Sequence, residues 1–204
     1  MSAGMLRSRG LRKAKGPDWL AVARFEPPAK GQDMLFEVMA SKAWRAKPVS
    51  LSLFGRGHME DGMRRLVRRL NLDGRVFFCS YVSNIEKVWA DHHALILPSR
   101  YEGLPAALVE AILCARPAIV TNVGGNAELI EDGRSGFVAP APTIKHLNEA
   151  MERAWDRRAL EPRYSISPPS APSANGDLNL ELFQRLGLPL NLACKRCERL
   201  RNFA

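Results

Sequence analysis

No stretch of the 204-residue chain approaches the 18 or more apolar residues of a membrane span. Met1 to Lys15 contains no apolar core segment, so it does not read as a secretory signal. Cysteine is scarce. Four residues are too few for a disulfide scaffold of this size, and a reduced compartment is the default expectation. Cys79 and Cys114 fall in apolar strand and helix patterns and read as core thiols. Cys194-Lys195-Arg196-Cys197 is a lone C-x-x-C, with no second pair or nearby histidine to complete a zinc site. His58, His92 and His93 read as solvated loop residues and receive no role.

What is present is enough apolar residue for one sizeable domain, and a formal charge of +9 that is unevenly placed. Met1 to Lys15 carries Arg7, Arg9, Arg12, Lys13 and Lys15 with no acid, hence +5. Leu160 to Ala204 carries six basic and four acidic residues, hence +2, which leaves +2 for the middle. The middle is therefore near neutral, and the basic arm sets the high pI. Such an arm is able to meet nucleic acid or anionic lipid, but a solvated, flexible terminus is the simpler reading.

Strand and helix patterns alternate from Trp19 onward. Apolar runs at Trp19–Phe25, Val49–Phe54, Val76–Cys79, Ala94–Leu97, Ala118–Thr121 and Gly136–Ala139 read as buried strands. Between them lie a loop at Glu26–Gly31 and helical spacing through Met34, Leu35, Val38, Met39 and Trp44. Further helices are expected at Met59–Leu70, Asn84–Ala90, Pro105–Ala115, Asn126–Glu131 and Thr143–Arg158. Short loops joining such units predict an α/β fold with a doubly wound parallel, Rossmann-like sheet. Ligands in such sheets bind at the carboxyl ends of the strands, near the switch point. The residues there are Arg24, Gly55, Ser80, Ser99 to Glu102 and Asn122 to Gly125, a polar and glycine-rich set. The pattern fails near Leu160, where prolines and serines make a linker-like stretch before a leucine-rich segment. The expected divisions are a basic flexible arm over 1–17, the α/β domain over 18–159, and an irregular tail over 160–204.

The most informative stretch is Pro98 to Glu110, P-S-R-Y-E-G-L-P-A-A-L-V-E. A strand ends at Pro98-Ser99, a turn holds Gly103 and Leu104, and Pro105 has the φ suited to a first helical position. Glu102 lies in the loop and Glu110 in the helix, seven residues intervening. The helix N-terminus between them presents free N–H groups and the positive end of a dipole, a seat for an anion. Asn122-Val123-Gly124-Gly125-Asn126, Glu128-Leu129-Ile130 and Gly133-Arg134-Ser135-Gly136-Phe137 follow. In order and spacing the run from Leu97 to Phe137 resembles retaining glycosyltransferases of the GT-B fold, family 4, with their E-x7-E signature.

That resemblance implies roles for particular residues. Arg24 and Lys30, in an R-x5-K-G context, match the pair that holds the donor's diphosphate. Glu110 matches the ribose-binding glutamate, and Glu102 the glutamate near the donor sugar. Backbone around Gly103, Leu104 and Pro105 would face sugar and phosphate, while Gly55 and Gly57 would let backbone approach the ligand. Ser80 stands where the family usually has glycine near the nucleobase pocket, and Ala115 where glycine usually precedes the next strand. No D-x-D occurs, so the diphosphate site bridged by metal in the other large glycosyltransferase fold has no candidate. Neither metal nor other cofactor is expected. Geometry also admits Glu102 and Glu110 as a glycosidase acid/base pair, but nothing else favours it.

The resemblance covers about Trp19 to Arg158, the donor-binding half of such an enzyme. The expected partners are a UDP- or GDP-sugar and a separate acceptor-binding chain, and the chain reads as a truncated or split product. Its expected location is the cytoplasm, with the arm allowing peripheral contact at the inner membrane face. The competing readings are a non-catalytic nucleotide-sugar-binding module and a basic nucleic-acid-binding protein.

Overall fold

The computed structural model describes residues 16–79, 85–103, 105–114 and 116–158. Residues 1–15 of the basic arm, Ser80, Asn84, Leu104, Ala115 and the proline-serine and leucine-rich tail with Cys194 and Cys197 lie outside the described residues.

Six short strands carry the fold: β1 (Asp18–Val22), β2 (Ser50–Phe54), β3 (Val76–Cys79), β4 (Ala94–Leu97), β5 (Ala118–Thr121) and β6 (Gly136–Ala139). All neighbours pair in parallel, in the order β3-β2-β1-β4-β5-β6. Because side chains alternate along a strand, a parallel sheet needs cover on both faces. Two apolar clusters supply it. On one face Trp19, Ala21, Leu51, Leu53, Ile96 and Ile119 meet α2 (Gln32–Ala40), α3 (Lys42–Arg45), α4 (Glu60–Arg69) and α7 (Ile144–Arg157). On the other, Leu20, Leu95, Leu97 and Val120 meet α5 (Ile85–Ala90) and α6 (Ala106–Leu113). The order reverses between β1 and β4, so a crevice opens at their carboxyl ends.

The first face is closed by tryptophan. Trp44 is fully buried and meets Trp19 and Trp155 edge-on, at centroid distances of 5.4 and 6.1 Å. Its Nε1 donates to Asn148 Oδ1 at 2.7 Å, tying α3 to α7. The far end of α7 is held electrostatically. Arg153 donates to Asp132 Oδ2 and to the Val138 carbonyl, and Val138 N donates to Asp132 Oδ1. Burial pushes the Asp132 carboxyl up, but those bonds and the charges of Arg153 and Arg157 outweigh it and hold the group below 3.8. A group depressed on folding stabilises fully above its unfolded value, and the effect is lost as pH falls through the folded value. Asp132→Asn is therefore expected to lower the urea unfolding midpoint at neutral pH, with the gap to the parent closing as the solution is made acid.

Several expectations are corrected. Glu26–Gly31 is not a plain loop: Pro27–Lys30 forms a one-turn helix, α1, begun by proline at its first positions. The spacing through Met34 to Trp44 is broken at Ser41, whose hydroxyl caps α3. Pro105 is not the first helical residue. Its ψ of 114° is extended, which makes it the residue preceding α6. The expected helix at Asn126–Glu131 is a single 3-10 turn, Asn126–Glu128. Cys114 is buried as expected, but Cys79 is partly exposed. His92 is buried rather than solvated: its Nδ1 donates to the Val88 carbonyl at 2.6 Å and its Nε2 lies 3.5 Å from Asp18. His93 accepts from Asp18 N, so both histidines sit at the amino ends of the strands, away from the crevice. Among the described residues no helix is long and apolar enough to cross a membrane.

Candidate functional site

At the reversal point lies an open cleft of about 590 Å³. One wall is the end of β1 and the turn into α1: Val22, Ala23, Arg24, Glu26, Ala29 and Lys30. The other is the β4–α6 connection: Tyr101, Glu102, Gly103, Pro105, Ala106 and Ala107. Arg24, Lys30, Glu102, Gly103 and Pro105 are therefore brought together from positions up to 81 residues apart in sequence.

Two cations enter from the first wall. Arg24 is largely exposed and pairs loosely with Glu26 at 3.7 Å. Lys30, the last residue of α1, places its Nζ 2.9 Å from Glu102 Oε2. The second wall supplies the start of α6. Helix geometry leaves its first N–H groups without intrahelical acceptors, and both Ala106 and Ala107 line the cleft. Glu110 does not line the cleft. It lies one turn further along α6, on the face it shares with Ala106, and accepts from Trp89 Nε1 at 3.3 Å.

The connections that carry these groups are fastened to each other. Arg100 N and Tyr101 N both donate to the Ala29 carbonyl. The Arg100 guanidinium reaches the Pro27 carbonyl and clasps Asp33 with two bonds of 2.8 and 3.0 Å. That bond to Asp33 raises the Arg100 pKa, against the opposing effect of burial. Gln32, almost fully buried, donates to the Arg24 carbonyl. Gly31 has φ 66°, and a Cβ there would fall 1.9 Å from the Pro98 carbonyl oxygen. Below Glu102, Ser99 donates to its Oε1 at 2.7 Å, Thr121 donates to the Ser99 carbonyl, and Asn126 donates to the Thr121 carbonyl. The ties from Arg100 to Asp33 and from Thr121 to Ser99 have no local sequence signal.

The glycines divide into two kinds. Added Cβ atoms at Gly55 and Gly57 would lie 2.0 and 2.3 Å from the Ala23 and Phe25 carbonyl oxygens. These two seat the β2 end against the β1 end and are not among the residues lining the cleft. Gly103 differs: a Cβ there would meet nothing within 4 Å. The fold does not demand glycine at 103, yet the position borders the cleft. Tyr101 projects beside it, 74% exposed. Ser80 and Leu104 lie outside the described residues.

The parallel sheet in this order, with a cleft at the β1 and β4 ends, matches the Rossmann-like half of the GT-B fold. The family model for glycosyl transferases group 1 matches residues 16–157, and the chain belongs to that family. It is 28% identical over 167 residues to the alpha-D-kanosaminyltransferase of Streptomyces kanamyceticus, covering 78% of this chain and 43% of that protein. A TarM variant of S. aureus, solved with UDP and alpha-GlcNAc-glycerol, superposes with a TM-score of 0.68 at 18% identity. That match covers 94% of this chain and 36% of the other. Sucrose-phosphate synthase from Thermosynechococcus elongatus superposes at 0.65 with 25% identity, over 74% of this chain and 39% of the other. The chain thus spans less than half the length of each of these relatives.

Proposed function

We propose that this chain binds a UDP- or GDP-sugar as a retaining family 4 glycosyltransferase does, and transfers its hexosyl group when joined to an acceptor-binding half. The observation that carries the reading is the convergence of Arg24, Lys30 and the α6 N-terminus on one cleft at the β1–β4 reversal. In this reading the diphosphate lies between the two cations and the free N–H groups of α6. Glu110, a half-buried residue, takes the ribose hydroxyls. The sugar extends past Gly103 beside Glu102, where no side chain at 103 would obstruct it.

The bond that breaks joins sugar C1 to the diphosphate oxygen, and its electron pair stays with that oxygen. The acceptor hydroxyl attacks C1 from the same face and passes its proton to the departing phosphate. Negative charge grows on the diphosphate, and fixed cations and N–H donors aimed there lower the barrier. No step calls for a metal.

Titration calorimetry with UDP and GDP tests the proposal. One nucleotide should bind, and Glu110→Ala should weaken it by roughly 10- to 150-fold, as expected for a lost charge-assisted bond of about 1.5–3 kcal/mol. A folded chain that takes up neither nucleotide would sink the donor reading.

A further inference from the structure

We propose that Glu102 is a positioning residue for Lys30, acting on the donor's diphosphate through the lysine as well as standing beside the sugar. The inference rests on the nucleotide-sugar reading above and extends it. The Glu102 side chain is only 7% exposed, and each of its oxygens already has a donor: Ser99 Oγ on Oε1 and Lys30 Nζ on Oε2. Behind Ser99 the bonds continue through Thr121 to Asn126, both fully buried. Oε1 is therefore held from the sheet side, and Oε2 is held by the lysine at the cleft.

Lys30 is the more exposed partner, at 23%. Its ammonium carries three N–H donors, of which Glu102 takes one, leaving the others for an anion in the cleft. A lysine stem has four carbons and many rotamers, so an unrestrained ammonium meets a phosphate only after losing that freedom. Glu102 imposes the loss before the ligand arrives. Its negative charge opposes an incoming phosphate, but the ammonium stands between the two, and preorganisation outweighs the more distant repulsion. A glutamate that only touched the sugar would have no effect on a nucleotide without one.

That difference gives the test. Glu102→Gln is titrated with the nucleoside diphosphate that the parent binds, and with the matching monophosphate, neither of which carries a sugar. The expected result is a roughly 10-fold loss for the diphosphate and no change for the monophosphate. Lys30→Met should lose a similar amount, and the double variant no more than Lys30→Met alone, because the two act as one unit. Ser99→Ala, which leaves the ion pair but frees one carboxylate oxygen, should show a smaller loss of the same selectivity, and it serves if Glu102→Gln does not fold. Unchanged or tighter diphosphate binding in Glu102→Gln would overturn the proposal. So would an equal loss for the monophosphate, which would mark Glu102 as holding only the loop, or additive losses in the double variant. If the parent chain binds no nucleotide, the donor reading itself has failed.

Discussion

Lys30→Ala is expected to lower affinity for UDP or GDP by roughly 10- to 150-fold while leaving the matching monophosphate within about two-fold. The scale follows from one charge-assisted bond of about 1.5–3 kcal/mol to phosphate. The selectivity follows from position. Lys30 ends α1 on the β1 wall of the cleft, whereas Glu110, the proposed ribose contact, lies a turn further along α6 than the residues lining the opposite wall. The substitution has a second effect. It strands the carboxylate of Glu102, 7% exposed, without its cation. Removing one partner of a fully buried pair costs about 3–5 kcal/mol, and the 23% exposure of Lys30 places the expected penalty well below that. The variant should therefore unfold at lower urea, and its affinity should be measured well below its thermal transition. Equal losses for monophosphate and diphosphate would place Lys30 outside the phosphate site.

The second large effect is expected at Gly124. Its φ is +54°, and a Cβ there would fall 2.2 Å from the Glu102 carbonyl oxygen and 2.8 Å from the carbonyl carbon. Those atoms are backbone, so no side chain can swing aside. Holding a non-glycine residue in the left-handed region costs about 1–3 kcal/mol, and the clash adds to it. Relief requires the Glu102–Gly103 loop to retreat by an ångström or so, and a shift of that size is able to slow a reaction by roughly 100-fold. Gly124→Ala should accordingly lower the urea midpoint and weaken nucleotide-sugar binding together. Gly103→Ala is the control. With no atom within 4 Å of the new methyl group, it should leave the midpoint unchanged and weaken only the nucleotide sugar. If Gly103→Ala destabilises and Gly124→Ala does not, the assignment of the two glycines is reversed.

Much of this was legible in the sequence. The bounds of β3, β4, β5 and β6 follow directly from short apolar runs closed by serine, proline or asparagine. The resemblance to family 4 implied that Arg24, Lys30, Glu102 and Glu110 serve one ligand, and the fold brings the first three to one cleft. What escaped was whatever depends on partners distant in sequence. The clasp of Arg100 on Asp33 joins residues 67 apart, and the bond from Thr121 to Ser99 spans 22. No local pattern encodes such pairs. The turn of α1 was hidden because two prolines read as a break, although proline suits the start of a helix. Gly55 and Gly57 looked like places for a ligand to approach, whereas their free space is filled by the backbone of β1's exit. Sequence shows that a side chain is missing, and only the fold shows what occupies its place.

The most direct test of the central claim is an amide NMR titration of the labelled chain with UDP or GDP, compared with the monophosphate. Both nucleotides should shift amides along α6 near Glu110. Only the diphosphate should shift Arg24, Lys30, Ala106 and Ala107. Shifts confined to other surfaces, or a diphosphate that moves none of those four, would contradict a donor site at the β1–β4 cleft.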